Sequence, residues 1–289
     1  MDRPRGSRSH LKIGAYMGAR ARIIIVLAFV VSVAHSAGAQ TVGDVDVQFG
    51  LTFQERSPDQ SSFPRSRRVP VQANVYLGPD VTLHVSTDSV LAVDTADKGR
   101  QTVVGDTKAG AAWSTKKRGG LKGSFDYTVK APTADNSNEL GSGYWDHVLT
   151  GSASFDLGET NNISADLGDY IAGSADGRSH YLFTAGYFSH QFDIDGHREL
   201  DFEVDFTPSA HGNPSDAVAS MSALIFLHKA EGSRSQSWTL NPGISKGLVD
   251  SSSNWGVFVA LVYSNSKPTQ TKLLFARRAV HIIGTGGGE

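Results

Sequence analysis

Residues 121–130 read LKGSFDYTVK, and residues 144–157 read YWDHVLTGSASFDL. In the first run, odd positions are apolar or Gly and even positions are polar or charged, without exception. The second run repeats this alternation from Leu149 to Leu157. A period of two places alternate side chains on opposite faces of an extended chain, so both runs are predicted to be strands. The polar stretch 131–143 between them is predicted to be a loop.

The same alternation recurs along most of the chain. Residues 198–207 follow it as strictly as residues 121–130, with Glu199, Asp201, Glu203 and Asp205 on one face and apolar residues on the other. Twelve strands are predicted in all, at 44–54, 69–77, 81–90, 103–114, 121–130, 144–157, 161–172, 180–193, 198–207, 217–229, 236–246 and 254–264. The chain is therefore predicted to be all-β.

The connections between these strands alternate in length. After the first strand and every second one thereafter they run about 7 to 14 residues, and after the others about 3 to 6, which is typical of transmembrane barrels with both termini in the periplasm. A soluble sandwich has no reason to place its long loops at one end. The acidic face of residues 198–207 would also be costly in a dry core but suits a wet lumen. We therefore predict a transmembrane antiparallel up-and-down β-barrel of about 12 strands.

The aromatic residues near strand ends support the same interpretation. Trp and Tyr favour membrane interfaces because each ring is apolar and carries one polar group that needs water. In the predicted barrel they form two rims, an outer one with Tyr144, Trp145 and Trp255 and a periplasmic one with Trp113, Trp238 and Tyr263. Packing of these rings at the ends of a soluble core is the alternative.

The two ends of the chain do not fit the barrel pattern. Residues 23–33 are almost entirely apolar, follow two arginines, and precede Ala37-Gly38-Ala39, so residues 1–39 are predicted to be a removed signal peptide. Residues 272–283 are apolar enough for a strand, but adjacent Arg277 and Arg278 would place one arginine on each face. We therefore predict a barrel over residues 40–266 and a C-terminal extension over residues 267–289.

Composition and motifs narrow the function classes. Without residues 1–39 the chain would carry 21 basic and 28 acidic residues, a net charge of about −7, which argues against nucleic acid as a partner. The chain has no Cys and no GxSxG, HExxH or nucleotide-binding P-loop motif, and its ten histidines are scattered. The sequence predicts no catalytic site, no cofactor and no metal site.

The polar faces supply candidate residues for a solute path through the lumen. These are charged or titratable side chains on the predicted inner face of four strands, and as a set they are mainly acidic, which would tune the passage of charged solutes. The candidates are His84, Asp88, Lys122, Asp126, Lys130, Asp166, Asp201, Glu203 and Asp205.

Several segments resemble one family of outer-membrane proteins. Residues 105–110 read GDTKAG, residues 127–134 YTVKAPTA, residues 140–146 LGSGYWD and residues 163–170 ISADLGDY. Their content and order are similar to the family named for the meta-pathway of phenol degradation, which is itself similar to the long-chain fatty-acid transporter barrels. Asp166 and Asp169 replace the Asn and Gly usual in that family.

The resemblance implies a channel in the bacterial outer membrane for small hydrophobic or aromatic compounds, and it names no binding residue. We expect passive uptake, with outer-membrane lipid and a small solute as partners; the oligomeric state stays open. A plugged barrel with a structural or surface-binding role is the first alternative, and a barrel enzyme acting on lipids is the second.

Overall fold

The computed structural model describes residues 45–55, 65–77, 79–95, 99–134, 143–173, 180–192, 198–207, 216–229, 237–249 and 255–264. The predicted signal peptide and the predicted C-terminal extension lie outside these ranges. Within them the regular structure is entirely β. The strands are β1 (Val45–Glu55), β2 (Arg65–Leu77), β3 (Val81–Thr95), β4 (Gly99–Val103), β5 (Thr107–Ser114), β6 (Leu121–Ala131), β7 (Asp146–Leu157), β8 (Asn161–Ile171), β9 (Tyr181–Gln191), β10 (Arg198–Thr207), β11 (Asp216–Lys229), β12 (Ser237–Gly247) and β13 (Trp255–Ser264).

The strands form one closed antiparallel barrel. Apart from β4 and β5, which do not pair with each other, each strand pairs with its sequence neighbours, and β13 returns to pair with β1, so the ring is closed. Short β4 and β5 both pair with β3, one beside each half of it, and together they occupy one position in the ring. The barrel therefore has twelve strand positions, as the sequence predicted.

The prediction for residues 91–114 was partly wrong. We expected a polar loop over 91–102 and one strand over 103–114, whereas β3 continues to Thr95 and returns as β4. The ladder then breaks at residues 104–106 before β5 begins. Side chains take over the polar groups at the break: Thr87 Oγ1 donates to the Gly105 carbonyl, and the Thr107 N–H donates to Thr133 Oγ1 at 2.7 Å. These bonds replace part of the strand pairing that is lost at the break, since a side-chain hydroxyl can satisfy a backbone donor or acceptor.

The two ends of the barrel differ. Connections at the end where β6 meets β7 are mostly longer, and we call this the long-loop end; the opposite end is the short-turn end. At the short-turn end Gly158 opens the tight turn between β7 and β8 with φ 79°, a left-handed conformation that glycine adopts at little cost.

Burial is reversed relative to a soluble protein. Many side chains buried in the barrel interior are polar, among them Asp126, Asp146 and Asp166. Large apolar side chains point outward, with Leu51 at 58% and Leu167 at 62% exposed. Soluble monomers rarely expose continuous apolar surfaces of this extent. In the part of the chain that the structure describes, the buried apolar clusters are small, such as Val45 with Val47 and Ala73.

Candidate functional site

The candidate site is the inner wall of the barrel. On β6 the even-numbered residues are buried or half-buried and half of the odd-numbered residues are exposed, so Lys122, Asp126 and Lys130 share the inner face. This face assignment follows from the period of two along a strand. Strand β8, which lies beyond β7, has a similar alternation, which places Asp166 on the inner face.

His84 and Asp126 meet inside the barrel. They lie on strands two positions apart, and between them stands Gly110, whose missing side chain leaves room for the imidazole. His84 Nε2 is 2.9 Å from Asp126 Oδ2, and the Thr128 hydroxyl donates to Asp126 Oδ1 at 2.7 Å. The carboxylate therefore has a partner on each oxygen, as a largely buried charge requires.

Lys130 lies at the long-loop end in a second network. Its Nζ is 2.6 Å from Asp146 Oδ2 and 3.8 Å from Asp106 Oδ2. The Tyr170 hydroxyl donates to the same Asp146 oxygen at 2.5 Å, and the Lys130 Nζ lies 5.7 Å from the centre of the Tyr170 ring. Asp146 is completely buried, so the contacts with Lys130 and Tyr170 take the place of the hydrogen bonds that water would make to an exposed carboxylate.

Acidic side chains occupy the wall from β8 to β10. The Tyr187 hydroxyl on β9 donates to Asp166 Oδ2 at 3.2 Å, and the backbone of Tyr187 pairs with Glu203 on β10. The Ser220 hydroxyl donates to Glu203 Oε2 at 3.3 Å. Asp201 is buried in the same wall.

Three further candidates have a known strand position but less side-chain detail. Lys122 is half-buried near the short-turn end, where its backbone pairs with Ser154. Asp88 lies in β3 and Asp205 lies in β10, and the side chains of both are outside the described part. The structure thus joins His84 with Asp126, and it places Asp166 near Glu203 through Tyr187.

Sequence reasoning did not decide which face of β9 points inward. The face that carries Tyr181, Phe183, Ala185 and Tyr187 is the inner one, since Ala185 is buried while Leu182 is exposed. The signal was weak because both faces of this strand carry large apolar residues. On the neighbouring strands β8 and β9, the Tyr170 and Tyr181 rings stack with centroids 4.7 Å apart, so aromatic surface also lines the interior.

Sequence reasoning also missed a sector of the wall on β1, β2 and β12 that is rich in amides. Four uncharged amide side chains are almost completely buried there, Gln48, Gln72, Asn74 and Asn241, beside one buried carboxylate, Asp46, which accepts a hydrogen bond from the Tyr76 hydroxyl at 2.6 Å. The Gln72 amide donates to Asn74 Oδ1 at 2.8 Å. Both polar atoms of the Gln48 amide and the Asn241 oxygen lack a hydrogen-bond partner in the described part of the chain. Polar residues at alternate positions of β1 were the available sequence signal.

The rim aromatics lie at or beside strand ends. Five of them are exposed, at 37% to 59%: Trp113, Tyr144, Trp145, Trp238 and Trp255. Tyr263 pairs with Trp238 across β12 and β13, and their ring centroids are 5.0 Å apart. At the long-loop end, Trp255 lies 5.1 Å from the Phe53 ring.

None of the residues in the described ranges forms a helix long and apolar enough to cross a membrane. No group of three or more His, Asp or Glu side chains in the same ranges could hold a metal ion.

Comparison with known proteins bears on the fold. No family model and no curated protein sequence matches the chain. An outer membrane channel from Pseudomonas putida F1 is similar in structure, covering 77% of this chain and 96% of its own with 13% identity and a TM-score of 0.59. This likeness shows the fold. A KdgM porin covers 77% of this chain and 99% of its own at 7% identity, but its TM-score of 0.49 is too low to add to that conclusion.

Proposed function

We propose that the protein is a channel in the bacterial outer membrane through which small molecules pass passively. The observation that carries this proposal is the reversed burial in a closed ring: charged and polar side chains face inward, and most large apolar side chains face outward. A closed barrel satisfies its backbone hydrogen bonds internally, so it can stand in lipid. Most strands have 10 to 15 residues, and about 9 to 11 suffice for a tilted crossing.

The proposed substrates are small hydrophobic or aromatic compounds. Aromatic side chains on the inner face support this class, since Tyr170, Tyr181, Phe183 and Tyr187 offer ring surface beside hydroxyl groups. A planar aromatic solute with a polar substituent could stack on such rings and bond to the hydroxyls. The resemblance to the phenol-degradation family favours the same class.

The charges on the wall give the channel an expected preference among ions. Asp166, Asp201 and Glu203 lie on adjacent parts of the wall from β8 to β10, and a row of carboxylates raises the local concentration of cations. We therefore expect small cations to pass more readily than anions of the same size.

A plugged barrel with a structural or surface-binding role is the second candidate. The burial of the amide sector favours it, because Gln48 and Asn74 are each only 2% exposed. Side chains facing a wide open lumen would be more accessible. The two candidates differ in a measurable property, since only the first conducts ions.

The test is conductance of the chain from Gln40, refolded and inserted into planar lipid bilayers. We expect discrete current steps with cation preference. Asp201→Asn combined with Glu203→Gln is expected to move the cation-to-anion permeability ratio toward one, because these carboxylates attract the cations. Glu159→Gln, at an exposed acid in the turn after β7, is the matched control and should leave the ratio unchanged.

Absence of current steps, together with no solute uptake in cells that lack other porins, would contradict the channel and favour the plugged barrel. Heat-modifiable migration on a gel shows in the same samples that the barrel has folded.

A further inference from the structure

The inner face of β9 carries three aromatic rings at alternate positions, with one small residue in the same row. Tyr181, Phe183 and Tyr187 are half-buried, and Ala185 between the last two is buried. At the long-loop end of this row the Tyr181 ring stacks on Tyr170 of β8. The row therefore offers partly exposed ring surface to the lumen along more than half of the strand.

Asp166 on the neighbouring strand lies between the two rings that flank Ala185. Its backbone pairs with Ala185, and the Tyr187 hydroxyl donates to Asp166 Oδ2 at 3.2 Å. The Phe183 ring lies over Gly168, the next inner-face residue along β8, which is about 7 Å from Asp166. A carboxylate and two aromatic rings thus meet within one short stretch of the wall.

A second carboxylate lies on the other side of Tyr187. The backbone of Glu203 on β10 pairs with Tyr187, and the Glu203 side chain is half-buried. Strands β8 and β9 contain no Lys or Arg, so neither strand supplies a basic side chain to balance the two acids. This part of the wall is therefore both aromatic and acidic.

Carboxylates alone attract any cation, and the rings narrow the class of ligand. An organic ammonium group can bond to a carboxylate and also lie against the face of an aromatic ring. If the same molecule carries an aromatic ring, that ring can stack on Phe183 while the ammonium group lies beside Asp166. Aromatic amines combine both features, whereas neutral or anionic aromatic compounds leave the carboxylates without a cation.

We propose that four residues, Asp166, Phe183, Tyr187 and Glu203, form a binding site for small aromatic amines on their way through the barrel. We call these residues the amine site. The ammonium group lies between the two carboxylates, against Tyr187, and the ring of the solute stacks on Phe183. This inference rests on the channel function proposed above and selects, among aromatic solutes, those with a positive charge.

The first test is calorimetric titration of the refolded barrel in detergent, which requires no current. We expect 2-phenylethylamine to bind about tenfold more tightly than 2-phenylethanol, which has the same ring and linker without the charge. Butylamine, which has the charge without the ring, should bind about threefold to tenfold more weakly than 2-phenylethylamine.

Substitutions in the amine site separate the two contributions. Asp166→Asn should remove most of the difference between amine and alcohol, and Asp156→Asn at the short-turn end is its control. Phe183→Leu should weaken binding of 2-phenylethylamine about threefold to tenfold. The matched control is Phe258→Leu on β13, which removes a ring that likewise lies over a glycine, Gly243, and should leave the affinity unchanged.

The outcomes separate the amine site from the channel. If Asp166→Asn does not fold, as judged by heat-modifiable migration, Glu203→Gln takes its place and should reduce the same difference. Equal affinity of the native barrel for amine and alcohol, or equal losses in Phe183→Leu and Phe258→Leu, would overturn the amine site.

The second test records current through the native barrel in planar bilayers, where 2-phenylethylamine should reduce the current at lower concentrations than 2-phenylethanol. If the barrel binds the amine in the calorimeter but conducts no current, the channel proposal fails and the amine site stands. If it conducts but does not distinguish amine from alcohol in either measurement, the amine site fails and the channel stands.

Discussion

Two regions of the inner wall both bury polar side chains, but they differ in the charge and the pairing of those side chains. The amide sector on β1, β2 and β12 buries mainly neutral side chains, some of which have no hydrogen-bond partner in the described residues, and its one buried carboxylate, Asp46, is bonded by the Tyr76 hydroxyl. The ionic sector, from β3 to β8, buries charged side chains, and each of Asp126, Asp146 and Asp166 accepts hydrogen bonds or ion pairs. The difference reflects cost: an unpaired buried amide costs a few kcal/mol, whereas an unpaired buried ion costs far more.

The largest expected effect comes from removing a charge in the ionic sector. Asp146→Ala leaves Lys130 buried beside a gap and takes away the acceptor for the Tyr170 hydroxyl and the Gly173 backbone N–H. We expect the free energy of unfolding to fall by about 3–5 kcal/mol. Urea unfolding of the lipid-folded barrel, followed by tryptophan fluorescence, measures it.

The control for that substitution is an ion pair at the surface. Lys117 and Asp156 form an ion pair at the short-turn end, and the lysine side chain is 48% exposed. Lys117→Met should cost no more than about 1 kcal/mol, because water screens the pair. If Asp146→Ala lowers the free energy of unfolding by as little as Lys117→Met does, then burial does not account for the difference between the two sectors.

An intermediate effect is expected where an aromatic ring lies over a glycine, a device found in both sectors. A Cβ at Gly168 would collide with the Phe183 ring, and one at Gly243 with the Phe258 ring. Gly168→Ala and Gly243→Ala should each lower the free energy of unfolding by about 1–3 kcal/mol, since the ring must move. The same urea titration measures both.

The matched control is Gly186→Ala on β9, where an added Cβ meets nothing within 4 Å. It should leave stability unchanged or slightly higher. Pairing Gly168→Ala with Phe183→Leu should recover part of the loss. If the losses of unfolding free energy in the two single variants simply add up in the double variant, the collision with the ring is not the cause of the loss.

The smallest effect is expected in the amide sector. Gln48→Met replaces a buried amide without partners by an apolar side chain of similar length, and it should raise the free energy of unfolding by about 1 kcal/mol. Asn74→Leu is the contrast, because it removes the acceptor used by Gln72 and should lower stability. If Gln48→Met also lowers stability, the amide has a partner such as water, and the sectors differ less than described.

The sequence predicted the strands of the barrel better than the side-chain contacts inside it. Alternation, strictest in β6 and β10, predicted twelve strands, and connection lengths predicted a barrel, because both signals are local. The break between β4 and β5 was missed, since it depends on Thr87 and Thr133, which are distant in sequence and supply the missing hydrogen bonds.

The same limit applies to the candidate site. Lys130 was predicted to face inward, but Asp146 and Tyr170 reach it only through the register of three strands. His84 and Asp126 meet across an intervening strand at Gly110. Such contacts depend on barrel curvature and register, and a period of two specifies neither. The faces of β9 were ambiguous for another reason, since Phe188 and Phe183 are equally apolar.

The three glycine–ring contacts also bear on how the barrel assembles. His84 stands directly opposite Gly110, Phe183 opposite Gly168, and Phe258 opposite Gly243 in the backbone register. A slip by one residue would turn each ring to the other face of the sheet. The three strand pairs lie four positions apart around the barrel of twelve. Each third of the circumference therefore contains one glycine–ring contact that forms only in the correct register. A strand pair that forms out of register would thus be destabilised at its own glycine, whatever the register of the other pairs.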